Sequence, residues 1–147
     1  MVIGIFGESC TGKSSVADEL SKRVGARIIT GKDYLKLAKN EADAKAEFIR
    51  LLSANETTGE FIVYVITETE HLSLLPEKAL RILAVAELDT IKERFAKRMN
   101  GVLPPPVAAM LEKKHGMFND EKYDLCIGNT GESVSDICDR IMAICGQ

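Results

Sequence analysis

Eight residues near the amino terminus constrain the fold more than any other part of the sequence. Residues 7–14 read GESCTGKS, with glycine at the first and sixth positions and lysine and serine at the end. An apolar run at residues 2–6 precedes them, and apolar residues follow at every fourth position, Val16, Leu20 and Val24. This order predicts a buried strand, a glycine-rich turn and an amphipathic helix.

A glycine-rich turn between a strand and a helix is suited to binding phosphate. Its glycines let backbone N–H groups point into the turn, and the helix that follows adds the positive end of its dipole. In the G-x-x-x-x-G-K-[ST] motif the lysine contacts the β- and γ-phosphates, and the final hydroxyl binds Mg²⁺. We therefore expect ATP, or GTP in its place, and Mg²⁺ as cofactors. The expected cofactor-binding residues are Gly7, Glu8, Ser9, Cys10, Thr11, Gly12, Lys13, Ser14 and Ser15, with Ser14 as the metal ligand.

Strands and helices alternate along the rest of the chain. This alternation predicts a five-stranded parallel sheet covered by helices on both faces. Together with the phosphate loop, it indicates a three-layer α/β/α fold of the P-loop NTPase class. The length suits one domain over residues 1–147. Thr90 and Glu93 have the spacing of a capping box, which predicts a helix that begins at Thr90. The other predicted strands are 27–30, 61–67, 79–85 and 123–127, and the other predicted helices are 31–40, 41–54, 104–115 and one from Ser133.

The composition argues against two classes of partner. The net charge is −3, whereas general binders of nucleic acid or of membrane surfaces need a basic field. The apolar run at residues 2–6 lacks a preceding basic region and is too short for a signal peptide or a membrane span. We therefore expect a cytoplasmic protein, a monomer or homodimer, with no nucleic-acid or membrane partner.

Further features accompany the loop at the expected strand ends. Thr30-Gly31 follows the second strand, and Asp33 comes two residues later. Arg94 and Arg98 stand four apart on one helix, and the last strand is followed by Asn129. Together with the loop, these features resemble the small P-loop kinases, namely nucleoside monophosphate kinases of the adenylate and cytidylate type, with shikimate kinase as a cousin.

The resemblance implies a phosphotransferase that moves the γ-phosphoryl group of ATP to a small acceptor, most simply a nucleotide. It implies that Thr30 and Gly31 lie beside the acceptor and that Asp33 holds an acceptor hydroxyl. It also implies that Arg94 and Arg98 face the ATP phosphates as catalytic residues with Lys13, and that Asn129 lies under the adenine. An acceptor-binding insertion around residues 31–58 and a short lid around residues 99–118 complete the expected domain.

The sequence departs from the monophosphate kinases at two points. Residues 67–71 contain no arginine where these kinases place a phosphate clamp, and residues 99–118 contain none either. We expect Arg50 to replace the clamp and Tyr34 to contact the acceptor. Three alternatives stay open: a kinase of a neutral hydroxyl metabolite or nucleoside, a non-catalytic ATP-binding module or switch, and an NTP hydrolase.

Single acidic and basic residues also have two interpretations. Glu68 ends a buried strand, where a carboxylate can hold a water of the Mg²⁺ shell, or it is a solvated glutamate. Asp33 can orient or deprotonate an acceptor hydroxyl, or it is a surface acid near a helix start. The two arginines can act on the transferring phosphoryl group, or they are solvated charges that pair with Glu87 or Asp120.

Overall fold

The observed order of strands and helices follows the predicted alternation. The computed structural model describes residues 1–55, 59–128 and 131–146. No helix in this described part of the chain is both long enough and apolar enough to cross a bilayer. The strands are β1 (Val2–Phe6), β2 (Arg27–Thr30), β3 (Ile62–Ile66), β4 (Leu80–Ala84) and β5 (Leu125–Ile127). The helices are α1 (Lys13–Val24), α2 (Glu41–Asn55), α3 (Leu88–Arg98), α4 (Pro105–Lys114) and α5 (Val134–Ile144).

The five strands form one sheet in the order β2-β3-β1-β4-β5, and every neighbouring pair is parallel. At the centre, Ile5 of β1 lies opposite Val65 of β3 and Ile82 of β4. Because parallel strands end at the same edge, all five carboxyl ends meet there. The loop that follows β1 therefore lies in the middle of this edge, and the predicted fold class is confirmed.

The centre of the sheet is buried on both faces, which explains why β1 and β3 read as unbroken apolar runs. Ile3 and Ile5 of β1 face a cluster formed with α1 and α5, whereas Val2 and Phe6 face a cluster formed with α2. This alternation has the period of two that a strand imposes on its side chains. The sheet is therefore the middle of three layers.

A smaller apolar cluster lies beside the loop after β1. Ile91 of α3 and Leu111 of α4 pack there with Cys10, and all three side chains are buried. An ion pair between Lys92 and Glu112, 2.5 Å from nitrogen to oxygen, also joins the two helices. The helices α3 and α4 thus pack against the loop and form one wall beside it.

The predicted helix at residues 31–40 is wrong. Only Asp33–Leu37 is helical, as a short 3₁₀ segment. Gly31 has φ of 47°, and the Asp33 carboxylate accepts a hydrogen bond from the backbone N–H of Thr30, which closes a turn in place of a helix start.

The predicted capping box in α3 is also wrong. The helix begins at Leu88, two residues before Thr90, and its N-cap residue Glu87 makes no side-chain cap bond. In contrast, the helix predicted from Ser133 is observed as α5, which begins at Val134. Its N-cap is Ser133, whose hydroxyl accepts the backbone N–H of Asp136 at 3.1 Å.

Candidate active site

The loop after β1 turns through backbone conformations that favour small residues. Gly7 follows the central strand, and a Cβ there would lie 2.3 Å from the carbonyl oxygen of Ala84. Cys10 and Gly12 have φ of 62° and 92°, both in the left-handed region. These turns bring the chain directly from β1 into the first residue of α1, the geometry that a phosphate-binding loop needs.

Lys13, the first residue of α1, lies almost fully inside this loop, with 5% of its surface exposed. Its ammonium donates to the Glu8 carbonyl oxygen and to the Thr11 hydroxyl, the latter at 3.2 Å. Burial lowers the pKa of the Lys13 ammonium to about 8. A bound phosphate would offer this buried cation a charged partner in place of two neutral ones.

One cavity of about 480 Å³ joins the loop to the end of β2. Residues 9–15 line it on one side, and Thr30 to Asp33 line it on the other. Thr67, just beyond β3, and Arg98, the last residue of α3, complete its wall. The structure therefore brings most of the residues predicted for the donor phosphates to a single space with Thr30, Gly31 and Asp33 of those predicted for the acceptor.

Asp33 presents an ionised carboxylate at the acceptor side of the cavity. Its Oδ2 accepts the Thr30 hydroxyl at 2.8 Å and the Thr30 backbone N–H at 3.1 Å. These two hydrogen bonds, the hydroxyl one first, lower the pKa of the Asp33 carboxyl. A carboxylate that stays charged at neutral pH can accept a hydrogen bond from an acceptor hydroxyl.

Ser14 supplies an oxygen that suits Mg²⁺. Its side chain is exposed and lines the cavity one residue after Lys13. Within the described residues, no group of three or more His, Cys, Asp or Glu comes together as a metal site. The Ser14 hydroxyl fits an ion that is held by one protein oxygen, the substrate phosphates and water, which is how Mg²⁺ commonly binds.

The two arginines of α3 take different positions. Arg98 lines the cavity described above and a second cavity of about 680 Å³ on the other side of the loop. Its charge also contributes to lowering the pKa of Lys13. Arg94 lines only the second cavity, and its guanidinium donates to the Cys10 carbonyl oxygen at 2.9 Å. Arg98 thus borders the predicted phosphate position, whereas Arg94 is hydrogen-bonded to the loop backbone.

The second cavity lies between the loop, the ends of β4 and β5, and the start of α5. Its volume suits the sugar and base of a nucleotide whose phosphates occupy the loop. Asn129, predicted under the adenine, lies outside the described residues, but its neighbour Gly128 lines this cavity. Thr90 and Glu132 also line this cavity. Neither was predicted from the sequence as a site residue, and Thr90 was instead assigned to a helix cap.

Several solved structures share this fold over nearly their whole length. A protein from Eubacterium ventriosum, itself uncharacterized, matches with a TM-score of 0.71 at 22% identity, over 100% of this chain and 99% of that one. YorR from Bacillus subtilis, solved with phosphorylated GDP, matches at 0.66 and 20% identity, over 99% and 96%. Shikimate kinase from Acinetobacter baumannii, solved with shikimate, matches at 0.64 and 12% identity, over 99% and 93%.

The chain has the fold of the small P-loop kinases. No protein-family profile matches the sequence, and no curated protein does so either. At these identities the likeness establishes the P-loop kinase fold, and the roles of individual residues must be argued from their positions in this chain.

Two predicted acceptor contacts do not reach the cavity of this P-loop kinase fold. Tyr34 is buried and stacks on Phe48 with ring centroids 5.4 Å apart, so it belongs to the core. Arg50 lies on α2, whose buried face carries Ala44, Phe48 and Leu52, and it points to the opposite side. There it is 73% exposed and pairs with Glu47 at 2.7 Å. The expected phosphate clamp is therefore not assembled.

Glu68, predicted to contact the Mg²⁺ shell, does not line the cavity either. Its carboxylate pairs with the Lys114 ammonium at 3.1 Å, and among the described residues it is the preceding Thr67 that lines the cavity. Thr67 was missed, although its position immediately after the β3 run was a usable signal. A metal-shell role for Glu68 stays a prediction without geometric support.

Proposed function

We propose that this chain is an ATP- and Mg²⁺-dependent kinase that transfers the γ-phosphoryl group to a hydroxyl of a small acceptor. The observation that carries the proposal is the single cavity of about 480 Å³ lined by the phosphate loop, Arg98 and Asp33. Phosphoryl transfer depends mainly on positioning the two reactants and on stabilising the charge in transit. A shared cavity with cations on the donor side and a carboxylate on the acceptor side meets both needs.

Each residue has a defined part in this reaction. Lys13 would leave the Glu8 carbonyl oxygen and bind the β- and γ-phosphates. Ser14 would hold Mg²⁺, which would neutralise part of the phosphate charge there. The hydroxyl oxygen of the acceptor forms a bond to the γ-phosphorus, and Asp33 accepts the proton that this hydroxyl loses. The bond from this phosphorus to the β-phosphate oxygen breaks, and ADP leaves. Arg98 stabilises the charge on the phosphoryl group while it moves.

The charges around the cavity favour an acceptor without a phosphate group. A dianionic phosphate calls for paired, preferably bidentate, positive contacts. The acceptor side instead offers an ionised Asp33 and a single lysine, Lys32, among its described lining residues. Because Arg50 is turned to solvent, the predicted replacement for the clamp has no support. The acceptor is therefore a hydroxyl compound that is neutral or carries one negative charge.

A nucleoside monophosphate is the second candidate, and one observation favours it. Thr30 and Gly31, which carry the resemblance to the monophosphate kinases, both line the cavity. On this alternative, of the adenylate or cytidylate kinase type, Arg98 and Lys32 would share the acceptor phosphate. The two candidates differ in which acceptors support ADP formation.

A panel of acceptors tests the proposal. We expect ADP formation from ATP to rise with hydroxylated metabolites or nucleosides and to stay at background with nucleoside monophosphates. Asp33→Asn should lower kcat by ~10²-fold or more, because a positioned general base contributes about that much. Initial rates of ADP release, measured with each acceptor, check both expectations.

Arg50→Ala is the matched control for this panel. It removes an exposed charge of α2, so its rates and its KM for every acceptor should equal those of the wild type. Activity restricted to monophosphates, with a raised KM in Arg50→Ala, would instead favour the monophosphate kinase. Tight ATP binding with no turnover would favour the non-catalytic module, and ADP release without an acceptor would favour a hydrolase.

A further inference from the structure

Three consecutive residues at the end of α4 bind two elements that border the cavity. The Lys114 ammonium pairs with Glu68 Oε1 just beyond β3, at 3.1 Å. The next two residues both bind the phosphate-loop residue Glu8, His115 through Nδ1 to Oε1 and Gly116 through its backbone N–H to Oε2, each at 3.0 Å. We call residues 114–116 the α4 clasp.

Both oxygens of the Glu8 carboxylate are used in this contact. The side chain is only 14% exposed, so water competes little for the two bonds. A carboxylate accepts hydrogen bonds, and Nδ1 of His115 must therefore carry the proton that it donates. Gly116 presents its N–H from a left-handed conformation, φ of 84°, that other residues rarely adopt. The contact is thus built by specific backbone geometry as well as by charge.

The main chain of Glu8 is part of the phosphate-binding machinery. Its carbonyl oxygen accepts the Lys13 ammonium and, at 2.8 Å, the Thr11 hydroxyl. Holding the Glu8 side chain therefore also holds the carbonyl that positions Lys13. On the other arm of the loop, the Arg94 guanidinium holds the Cys10 carbonyl oxygen. Contacts from α3 and from the end of α4 therefore restrain the loop on both arms.

We propose that Glu8 is a positioning residue, through which the α4 clasp holds the phosphate loop in the form that binds phosphate. This deepens the proposed function and rests on its assignment of the loop to the donor phosphates. It also gives α4 a definite part, since the Lys92–Glu112 ion pair ties the helix to α3 and the clasp ties its end to the loop. The segment predicted as a lid thus contains a fixed wall.

The direction in which Glu8→Gln changes the affinity for a polyphosphate distinguishes a positioning role from a purely electrostatic one. If the Glu8 charge acted only through space, removing it would strengthen the binding of a polyanion. The clasp predicts the reverse, because glutamine offers one acceptor oxygen to two donors and the loop loses an anchor. Bonds to charged groups of this kind are worth roughly tenfold or more in binding. We expect Mg²⁺-tripolyphosphate to bind Glu8→Gln about tenfold more weakly than the wild type.

Titration calorimetry with Mg²⁺-tripolyphosphate needs neither a base nor an acceptor, so it isolates the loop. His115→Ala should weaken binding in the same direction as Glu8→Gln. His115→Asn, whose side-chain amide can donate to Glu8, should stay within twofold of the wild type. Glu112→Gln, the matched control, breaks the ion pair between α3 and α4 without touching the clasp and should also stay within twofold.

Two outcomes would overturn the positioning role. Wild-type or stronger binding by both Glu8→Gln and His115→Ala would show that the clasp does not hold the loop. An equal loss in Glu112→Gln would show that any loosening of α4 has the same effect. His115 is an exposed residue, so its variants test the clasp even if Glu8→Gln folds poorly. Absence of phosphoryl transfer by the wild type would contradict the proposed function and leave this binding comparison intact.

Discussion

Lys13→Ala should abolish turnover and weaken ATP binding by roughly 100-fold or more, while the fold survives. The ammonium is the buried cation of the phosphate loop, and charged hydrogen bonds to two phosphates account for a loss of this size. Its present partners are oxygens of Glu8 and Thr11 within the same loop, so its removal opens no cavity in the apolar core. Titration calorimetry and a thermal melt measure the two effects separately.

The pKa of Lys13 provides an independent check on this role. Burial lowers it to about 8, and bound phosphate should raise it again by favouring the charged form. Binding above pH 8 must therefore take up a proton, and wild-type affinity for ATP should fall as the pH rises through 8. Lys13→Ala should lack this dependence. Unchanged ATP affinity in the variant would contradict the assignment of the loop.

Arg98→Ala should lower kcat by ~10²-fold or more and change the KM for ATP much less. This guanidinium borders both cavities, where it can act on the phosphoryl group in transit, and charge that matters mainly in the transition state appears in kcat. Arg94→Ala should instead raise the KM for ATP, because Arg94 holds the Cys10 carbonyl oxygen of the loop. Steady-state kinetics of the two variants measure the difference.

Lys97→Ala is the matched control for the α3 arginines. Lys97 lies between them in sequence, is 76% exposed, and should be replaceable without kinetic effect. If the kcat of Arg98→Ala were within twofold of the wild-type value, Arg98 would be a solvated charge and not a catalytic residue.

The central part of this account was predictable because local pattern and packing agree there. The spacing of Gly7, Gly12 and Lys13 is typical of a phosphate-binding turn between a strand and a helix. The apolar patterns on either side of this turn predicted β1 and α1. The unbroken apolar runs of β1 and β3 predicted strands buried on both faces, as observed. Once the sheet is parallel, the loop and the Thr30–Asp33 turn must meet at its carboxyl edge.

The remaining site residues depend on directions that a sequence does not specify. Tyr34 comes after β2 and Arg50 lies on α2, as expected from the sequence. The packing of Phe48 against Tyr34 nevertheless turns Tyr34 into the core and leaves Arg50 in solvent. A shift of one residue separates Thr67, which lines the cavity, from Glu68, which does not. The α4 clasp binds Glu8 through His115 and Gly116, which lie 107 and 108 positions further along the chain. No local sequence pattern indicates a contact over such a separation.

The fate of the γ-phosphate tests the central claim most directly. ATP labelled at the γ-phosphorus should be incubated with the wild type and with an acceptor that raises ADP formation, and the label then traced. The account predicts that the label leaves ATP only when the acceptor is present and appears on the acceptor in amounts equal to the ADP formed. Label released as inorganic phosphate at the same rate with and without the acceptor would contradict it.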